Sequence, residues 1–235
     1  MPCCVEFAHL ALAGLVWFLL HAAVAGSELR GWLVARFGER AYLAGFSLTS
    51  LASLWWLIHA YRAAPYRALW STPAPLYLVP LLVVPLALVL LVGAFTVKSP
   101  TAVGGEKFLD KAEPVRGVLR ITRHPFLWSV VAWSVAHLVV NPDLGSQLFF
   151  TSLGLTALRG SFDIDRKRRR SNPEAFARFE AVSSNLPFAA LRAGRTRLVW
   201  RELWLPLLLG LTLAAGAALL HPYLFGTRVL PALPG

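Results

Sequence analysis

Acidic residues and cysteines are both scarce in this sequence. Its 12 Asp and Glu residues face 23 Lys and Arg residues, and charged residues make up only 15% of the chain. The two cysteines, Cys3 and Cys4, are adjacent, so they cannot cross-link distant segments and they match no zinc spacing. The sequence also contains no P-loop and no nucleophile elbow. These absences argue against a disulfide framework, a structural zinc site and P-loop nucleotide hydrolysis.

Apolar residues dominate the composition. They account for 57% of the chain and give a mean hydropathy of +0.58, which is too apolar for a soluble domain of 235 residues. Six segments are long enough to cross a hydrocarbon core of roughly 30 Å as helices. They cover residues 5–25, 41–61, 76–97, 125–140, 144–162 and 203–223. The sequence therefore predicts an all-α, polytopic transmembrane helix bundle of about six spans, forming a single domain over residues 1–235.

Lys and Arg concentrate in alternate loops between these segments. The first, third and fifth loops carry three, six and ten of them, whereas the second carries two and the fourth none. Because positive loops stay in the cytoplasm, both termini are predicted to lie outside. The net charge of +11 is then explained by orientation and by membrane lipid as a partner, so nucleic acid is not expected. Within the basic loop 164–202, apolar residues at helical spacing predict a helix on the membrane surface.

Polar residues at the ends of the fourth and fifth segments form a candidate site. Arg123 and His124 directly precede a proline, which can begin a helix because the first turn needs no N–H there. Asp163 and Asp165 lie at the end of the fifth segment. Since only residues 141–143 connect the two segments, they are predicted to be antiparallel neighbours. The four side chains are expected to meet in a cytoplasmic polar site, and the alternative is a salt-bridged collar that caps a helix end.

Six histidines are the main candidates for cofactor ligands. An ionisable residue inside a membrane costs free energy, so a function for it is the default hypothesis. His137 lies among apolar residues of the fourth segment and is the best candidate for a ligand to haem iron, with a second imidazole from another helix. The alternative is that each histidine only forms hydrogen bonds between neighbouring helices.

Five separated motifs resemble the NnrU family of bacterial membrane proteins. They are G-E-R-A-Y-L-A-G-F-S-L-T-S-L from Gly38, P-T-A-V-G-G-E from Pro100, R-G-V-L-R-I-T-R-H-P-F-L-W from Arg116, W-S-V-A-H-L from Trp133 and S-N-L-P-F from Ser184. The resemblance covers nearly the whole chain. It implies a multi-pass protein of the bacterial inner membrane that is linked to nitrite and nitric oxide reduction in denitrification.

Relatives of this family in plants and cyanobacteria are the 15-cis-zeta-carotene isomerases, membrane enzymes that use haem b to isomerise a double bond. The resemblance implies haem b as cofactor, a hydrophobic small molecule as substrate, and iron ligands at His137 and His21. His59 also falls where those relatives carry a histidine. The positions of His21 and His137 along their helices predict different membrane depths, so His59 or His9 is the alternative partner of His137.

The R-H-P motif is also similar to one in membrane-bound isoprenylcysteine and phospholipid methyltransferases. This local resemblance implies S-adenosylmethionine as cofactor, with Arg123 and His124 anchoring it or ordering its pocket. Three functional hypotheses follow: a haem-dependent, isomerase-like membrane protein, a methyltransferase, and a non-catalytic accessory protein of nitrite and nitric oxide reduction. Whether the chain is an enzyme is left open by the residues themselves.

Overall fold

The computed structural model describes residues 2–25, 27–109, 114–227 and 229. These residues form helices joined by turns, and no β-strand occurs among them. In chain order the α-helices are α1 (Pro2–Leu19), α2 (Leu29–Phe37), α3 (Glu39–Ala63), α4 (Leu78–Thr96), α5 (Pro125–Val140), α6 (Leu144–Ser171), α7 (Pro173–Ala181), α8 (Ala189–Arg192) and α9 (Trp200–Phe225). The predicted all-α class is confirmed.

Within the described part of the chain, four helical segments are long and apolar enough to cross a membrane. They are Val5–Val24, Glu39–Ala63, Ala74–Thr96 and Trp200–Phe225. The other two predicted spans correspond to α5 and α6. Helix α5 is apolar but has only 16 residues, which gives it a length of roughly 24 Å. Helix α6 is longer than predicted and more polar, because Gln147 and Arg159 interrupt its apolar run.

The long helices pack side by side in the order α3, α1, α6, α5, α4, α9. Small residues set the distances between them. A Cβ added at Gly14 of α1 would lie 3.1 Å from the Ser152 Cβ of α6. On another side of α6, a Cβ at Gly154 would lie 3.0 Å from the Ser134 Cβ of α5. Helix α6 therefore lies between α1 and α5 and contacts both closely.

Helix α1 continues into a π-helical segment, Leu20–Ala25, which contains His21. A π-helical turn accommodates one extra residue and is found frequently at functional sites. The short helix α2 follows and packs against both this segment and α3. His21 therefore lies where the regular geometry of the first helix changes.

The loop and helix residues 98–109, 114–124 and 163–202 gather at one end of the bundle, here called the basic end. Helix α7 lies in this region, at the place where a surface helix was predicted. Its Phe176 and Phe179 are fully buried against Leu109, Val115 and Leu119. The apolar face of α7 therefore covers other residues of the protein.

Candidate functional site

Arg123, His124 and Asp165 meet at the basic end, as their positions in the sequence predicted. Arg123 donates from Nε to both Asp165 carboxylate oxygens at 3.0 and 3.1 Å, and from Nη2 to Oδ2 at 3.0 Å. His124 Nε2 lies 2.8 Å from Asp165 Oδ1. All three side chains are almost completely buried, with exposed fractions of 6%, 1% and 3%. A buried charge pair of this kind is retained only when further hydrogen bonds satisfy it.

Residues 180–185 supply those further hydrogen bonds. Asn185 donates from Nδ2 to Asp165 Oδ2 at 2.9 Å, and its Oδ1 accepts from Trp128 Nε1 and Ser161 Oγ, each at 3.1 Å. Glu180 accepts from Arg123 Nη2 at 2.8 Å. The polar network around Asp165 is therefore extended to helices α5 and α7.

Backbone hydrogen bonds hold the same segments together. The Arg123 N–H donates to the Ser184 carbonyl at 2.9 Å, and the Phe188 N–H donates to the Ile121 carbonyl at 2.8 Å. The Thr122 hydroxyl donates to the Asn185 carbonyl at 2.5 Å. The segment before α5 is therefore paired along its length with the turn that follows α7.

The network fixes the protonation states of its central pair, which lies beyond the apolar part of α6 (144–162) and before α5. Burial by itself would raise the pKa of Asp165, but the hydrogen bonds from His124 and Arg123 and the positive charge of Arg123 lower it to about 2. Burial lowers the pKa of His124, against the opposing effect of Asp165. Asp165 is therefore ionised at neutral pH, and a neutral His124 donates to it from Nε2.

Asp163 does not belong to this network, although the sequence grouped it there. It pairs with Arg159 at 3.1 Å and with Arg166 at 3.2 Å, both on α6 itself. Residues two apart on a helix point in nearly opposite directions, so Asp163 and Asp165 lie on different faces. The pairs around Asp163 match the alternative of a salt-bridged collar.

Asn185 and Glu180 are the functional candidates for which the sequence gave no role. Asn185 belongs to a family motif, but no spacing rule connects residue 185 to residue 165. Their contact depends on the turn after α7, which only the tertiary structure defines. The burial of Asn185 beside a carboxylate marks it as part of the site.

A recess of about 600 Å³ opens onto this network. Its floor contains the buried side chains of Arg123, Asp165 and Asn185, and its wall contains the exposed Arg169 and Arg195. Such a volume falls within the range of small-molecule sites. The recess is therefore a candidate binding site in its own right.

The two bundle histidines proposed as iron ligands share one local arrangement. His137 Nδ1 lies 2.8 Å from the Trp133 carbonyl oxygen, and His21 Nδ1 lies 2.9 Å from the Trp17 carbonyl oxygen. A carbonyl oxygen only accepts, so each ring carries its proton on Nδ1 and presents an Nε2 lone pair. Metal-bound histidines are commonly held by a hydrogen bond of this kind. The chemistry of His137 and His21 therefore fits attachment to haem iron.

The two imidazoles are separated along the bundle, however. The His137 ring stacks on Phe150 of α6 at 4.8 Å. Arg159 of the same helix instead lies over the ring of Phe18, which is in α1 three residues before His21. The separation of residues 150 and 159 along α6 is on the order of 10 Å. The structure does not bring His21 and His137 into contact, and the assignment of a second ligand stays a prediction.

The other two histidines of the first three helices have different surroundings. His9 accepts a hydrogen bond at Nε2 from Trp56 Nε1 at 2.6 Å, which occupies the nitrogen that would bind a metal. His59 is exposed on the bundle surface and stacks on Trp55 at 5.3 Å. Among the described residues, no group of three or more His, Cys, Asp and Glu side chains could hold a metal ion.

An apolar cavity of about 360 Å³ lies near His21, between the π-helical segment, α2 and α3. It is lined by Leu20, Val24, Leu33, Phe37, Ala41, Tyr42, Gly45, Phe46 and Thr49. The Phe46 ring also contacts the His21 ring at 5.5 Å. The cavity therefore provides apolar space close to His21, a candidate ligand of haem iron.

Comparison with known proteins adds to this description. The model of a family described as NnrU protein matches residues 9–229. The chain is 34% identical over 117 residues to the 15-cis-zeta-carotene isomerase of Arabidopsis thaliana, and this match covers 47% of the chain and 31% of the relative. It is 34% identical over 112 residues to the isomerase of the same name from Zea mays, covering 45% of the chain and 30% of the relative. No solved structure matches the chain significantly. The matched regions span about a third of the length of these curated relatives.

Proposed function

Because the chain belongs to the NnrU family, we propose that it is a membrane-embedded, haem b-dependent isomerase of carbon–carbon double bonds in a hydrophobic polyene. The observation that carries this proposal is the 34% identity to two 15-cis-zeta-carotene isomerases. Both matches cover less than half of the chain, so the substrate of this protein is proposed by analogy. The bacterial inner membrane is the proposed location.

His137 is the residue proposed to hold the haem. Its Nδ1–H is directed to the Trp133 carbonyl, so Nε2 is the nitrogen available to iron. Phe150 stacks on the imidazole and Trp133 packs against both rings, which fixes the orientation of His137. When bound, haem would supply a redox-active iron for the isomerisation of the double bond. His21 and His59 are the proposed second ligands. For either of them to bind the same iron as His137, the helix that carries it would have to move.

The apolar cavity near His21 is the proposed space for part of the polyene. Its lining side chains are aliphatic or aromatic apart from Thr49, and their only polar groups are the hydroxyls of Tyr42 and Thr49. The Thr49 hydroxyl already donates to the Gly45 carbonyl at 2.8 Å, so it presents little free polarity. Exclusion of water from such a site favours an apolar substrate.

The optical spectrum of the purified full-length protein tests this function. We expect a Soret band in the wild type, a lost or shifted band in His137→Ala, and an unchanged band in His9→Ala, because Trp56 already occupies His9 Nε2. The same wild-type preparation should convert 15-cis-zeta-carotene, with the isomers separated by chromatography. A wild type without haem contradicts the proposal, and a full band in His137→Ala contradicts the ligand assignment.

Six spans and two external termini are also proposed for this chain. The four apolar segments, together with the neighbouring α5 and α6, account for six crossings, and the alternation of basic loops sets their direction. A phosphatase reporter fused after residue 235 should be active, since this enzyme matures only outside the cytoplasm. Activity of a cytoplasmic reporter at the same position would reverse the orientation.

The alternative functions have less support. Arg123 and His124, which a methyltransferase would use near its cofactor, are buried and bonded to Asp165. Saturable binding of S-adenosylmethionine that His124→Ala abolishes would nevertheless favour this alternative. A purified protein with neither haem nor S-adenosylmethionine would favour an accessory role linked to denitrification.

A further inference from the structure

We propose that the recess at the basic end binds the headgroup of one anionic phospholipid, with the acyl chains passing over Phe162 and Leu186. This inference is independent of the proposed isomerase activity. It rests on the charge of the recess, on the geometry of Arg195 and on the apolar residues at its rim.

The recess carries an excess of positive charge. Three arginines, Arg123, Arg169 and Arg195, face two carboxylates, those of Asp165 and Glu180. Arg123 pairs with both carboxylates, and Arg169 donates to both oxygens of Glu180 at 2.7 and 2.9 Å. Arg195 has no carboxylate partner among the described residues. An occupant with a single negative charge would therefore neutralise the recess.

Arg195 is held in place by neutral groups. Its Nη1 donates to the Glu180 carbonyl at 2.6 Å and to the Ser183 carbonyl at 2.9 Å. These two bonds orient the guanidinium without reducing its charge, and the donors on Nε and Nη2 stay available for a ligand. Arginine binds phosphate through such a fork of N–H donors. The position of Arg195 therefore suits a phosphodiester group.

The rim of the recess is apolar on one side. Phe162 and Leu186 line it with exposed fractions of 46% and 54%, and the nearby Phe188 is exposed by 49%. Phe162 is the last residue of the apolar part of α6, so, with α6 crossing the membrane as proposed above, this rim lies at the boundary between hydrocarbon and headgroups. A basic pocket directly beside exposed apolar side chains matches the two parts of an anionic phospholipid.

A soluble anion would use only half of these features. Inorganic phosphate could reach Arg195, but it would leave Phe162 and Leu186 without a partner. A zwitterionic phospholipid would cover the rim, but its own positive group would oppose the excess charge of the recess. Phosphatidylglycerol, with one negative charge and two acyl chains, meets both requirements.

Native mass spectrometry of the full-length protein in neutral detergent tests this site. The protein is titrated with phosphatidylglycerol, phosphatidylcholine or inorganic phosphate. We expect one saturable phosphatidylglycerol per chain, with affinity lowered about tenfold in Arg195→Gln. Arg192→Gln is the matched control, because Arg192 is an exposed arginine three residues away that does not line the recess. Its affinity should stay within about twofold of the wild type.

A second variant tests the apolar rim while the headgroup contacts of Arg195 stay intact. Leu186→Asn keeps Arg195 and its hydrogen bonds to the Glu180 and Ser183 carbonyls, and it should weaken phospholipid binding because it makes the rim polar. The proposal is overturned if Arg195→Gln and Arg192→Gln lose affinity equally, if phosphatidylcholine binds as well as phosphatidylglycerol, or if inorganic phosphate binds as tightly as the lipid. Competition by S-adenosylmethionine would instead identify the recess as a cofactor site.

Discussion

Asp165 is the residue on which the basic end depends. Its carboxylate accepts hydrogen bonds from Arg123, His124 and Asn185, which come from the segment before α5 and the turn after α7. A buried charge that loses its partner is strongly destabilising, because the remaining charge is left without compensation. A substitution at Asp165 should therefore destabilise the protein more than the loss of a surface ion pair does.

We expect Asp165→Asn to lower the free energy of unfolding by about 3 kcal/mol, since Arg123 then keeps only Glu180 as a charged partner. Asp163→Asn is the matched control on the same helix. Its partners Arg159 and Arg166 are about half exposed, so the loss should be about 1 kcal/mol or less. Unfolding of the detergent-purified proteins can be followed by circular dichroism. Equal losses in the two variants would contradict the central role of Asp165.

Residue identities predicted part of this site. The contact of Arg123 and His124 with Asp165 was predicted because these residues lie at the ends of two segments joined by a short turn, and short turns make antiparallel neighbours. Asp163 was grouped with them because proximity in sequence does not resolve the face of a helix. Asn185 stood in a family motif but was given no role, since its contact with Asp165 joins residues 20 positions apart.

At the scale of the helices, glycines mark the closest approach between α4 and α9. A Cβ at Gly210 would lie 2.6 Å from the Val89 Cα. Because this is a backbone atom, no side-chain rotation can relieve the clash. A Cβ added at Gly216, six residues later in α9, would have no atom of another helix within 4 Å. The two glycines were equivalent in the sequence, but only Gly210 is required for helix packing.

Gly210→Ala should destabilise the protein by about 1–3 kcal/mol, because the added methyl group forces α4 and α9 apart. Gly216→Ala should be neutral or slightly stabilising, since alanine favours a helix over glycine. Thermal unfolding of the two variants in the same detergent measures the difference. A neutral Gly210→Ala would show that the helices separate without cost.

The helices themselves were predictable to different degrees. Long apolar runs predicted α3, α4 and α9 to within a few residues, because twenty apolar residues in a row leave few alternatives to a helix. The π-helical segment Leu20–Ala25 was not predictable, since it differs from an α-helix only in its hydrogen-bond register. The apolar face of α7 predicted a membrane contact, whereas the structure buries Phe176 and Phe179 against other loops.

At the scale of the whole molecule, the central ionisable pair makes stability depend on pH. The pKa of His124 is lower in the folded protein than its usual value near 6.5, so its contribution is present above that pH and is lost as the pH falls below it. The pKa of Asp165 is lowered from 3.8 to about 2, so its contribution is present above about pH 4 and is lost as the pH falls toward 2. Both groups therefore make acid destabilising.

We expect the thermal midpoint of the purified protein to fall in two stages on acidification, first below about pH 6.5 and again below about pH 4. His124→Gln should remove the first stage and keep the second. Midpoints measured in one detergent from pH 8 to pH 3 provide the test. A midpoint that rises as the pH falls from 6.5 to 4 would contradict the buried, neutral state of His124.

The pairing of Thr122 with Asn185 also determines the order of events during synthesis. The two residues are 63 positions apart, so the segment before α5 is made well before its partner turn exists. At a translation rate of roughly 5–20 residues per second, the ribosome needs about 3–13 s to cover that distance. For part of this interval neither Asp165 nor Glu180 has been made, so the Arg123 guanidinium directly before α5 lacks its carboxylate partners. The basic end is therefore completed late in biosynthesis, after α5 and α6 have been made.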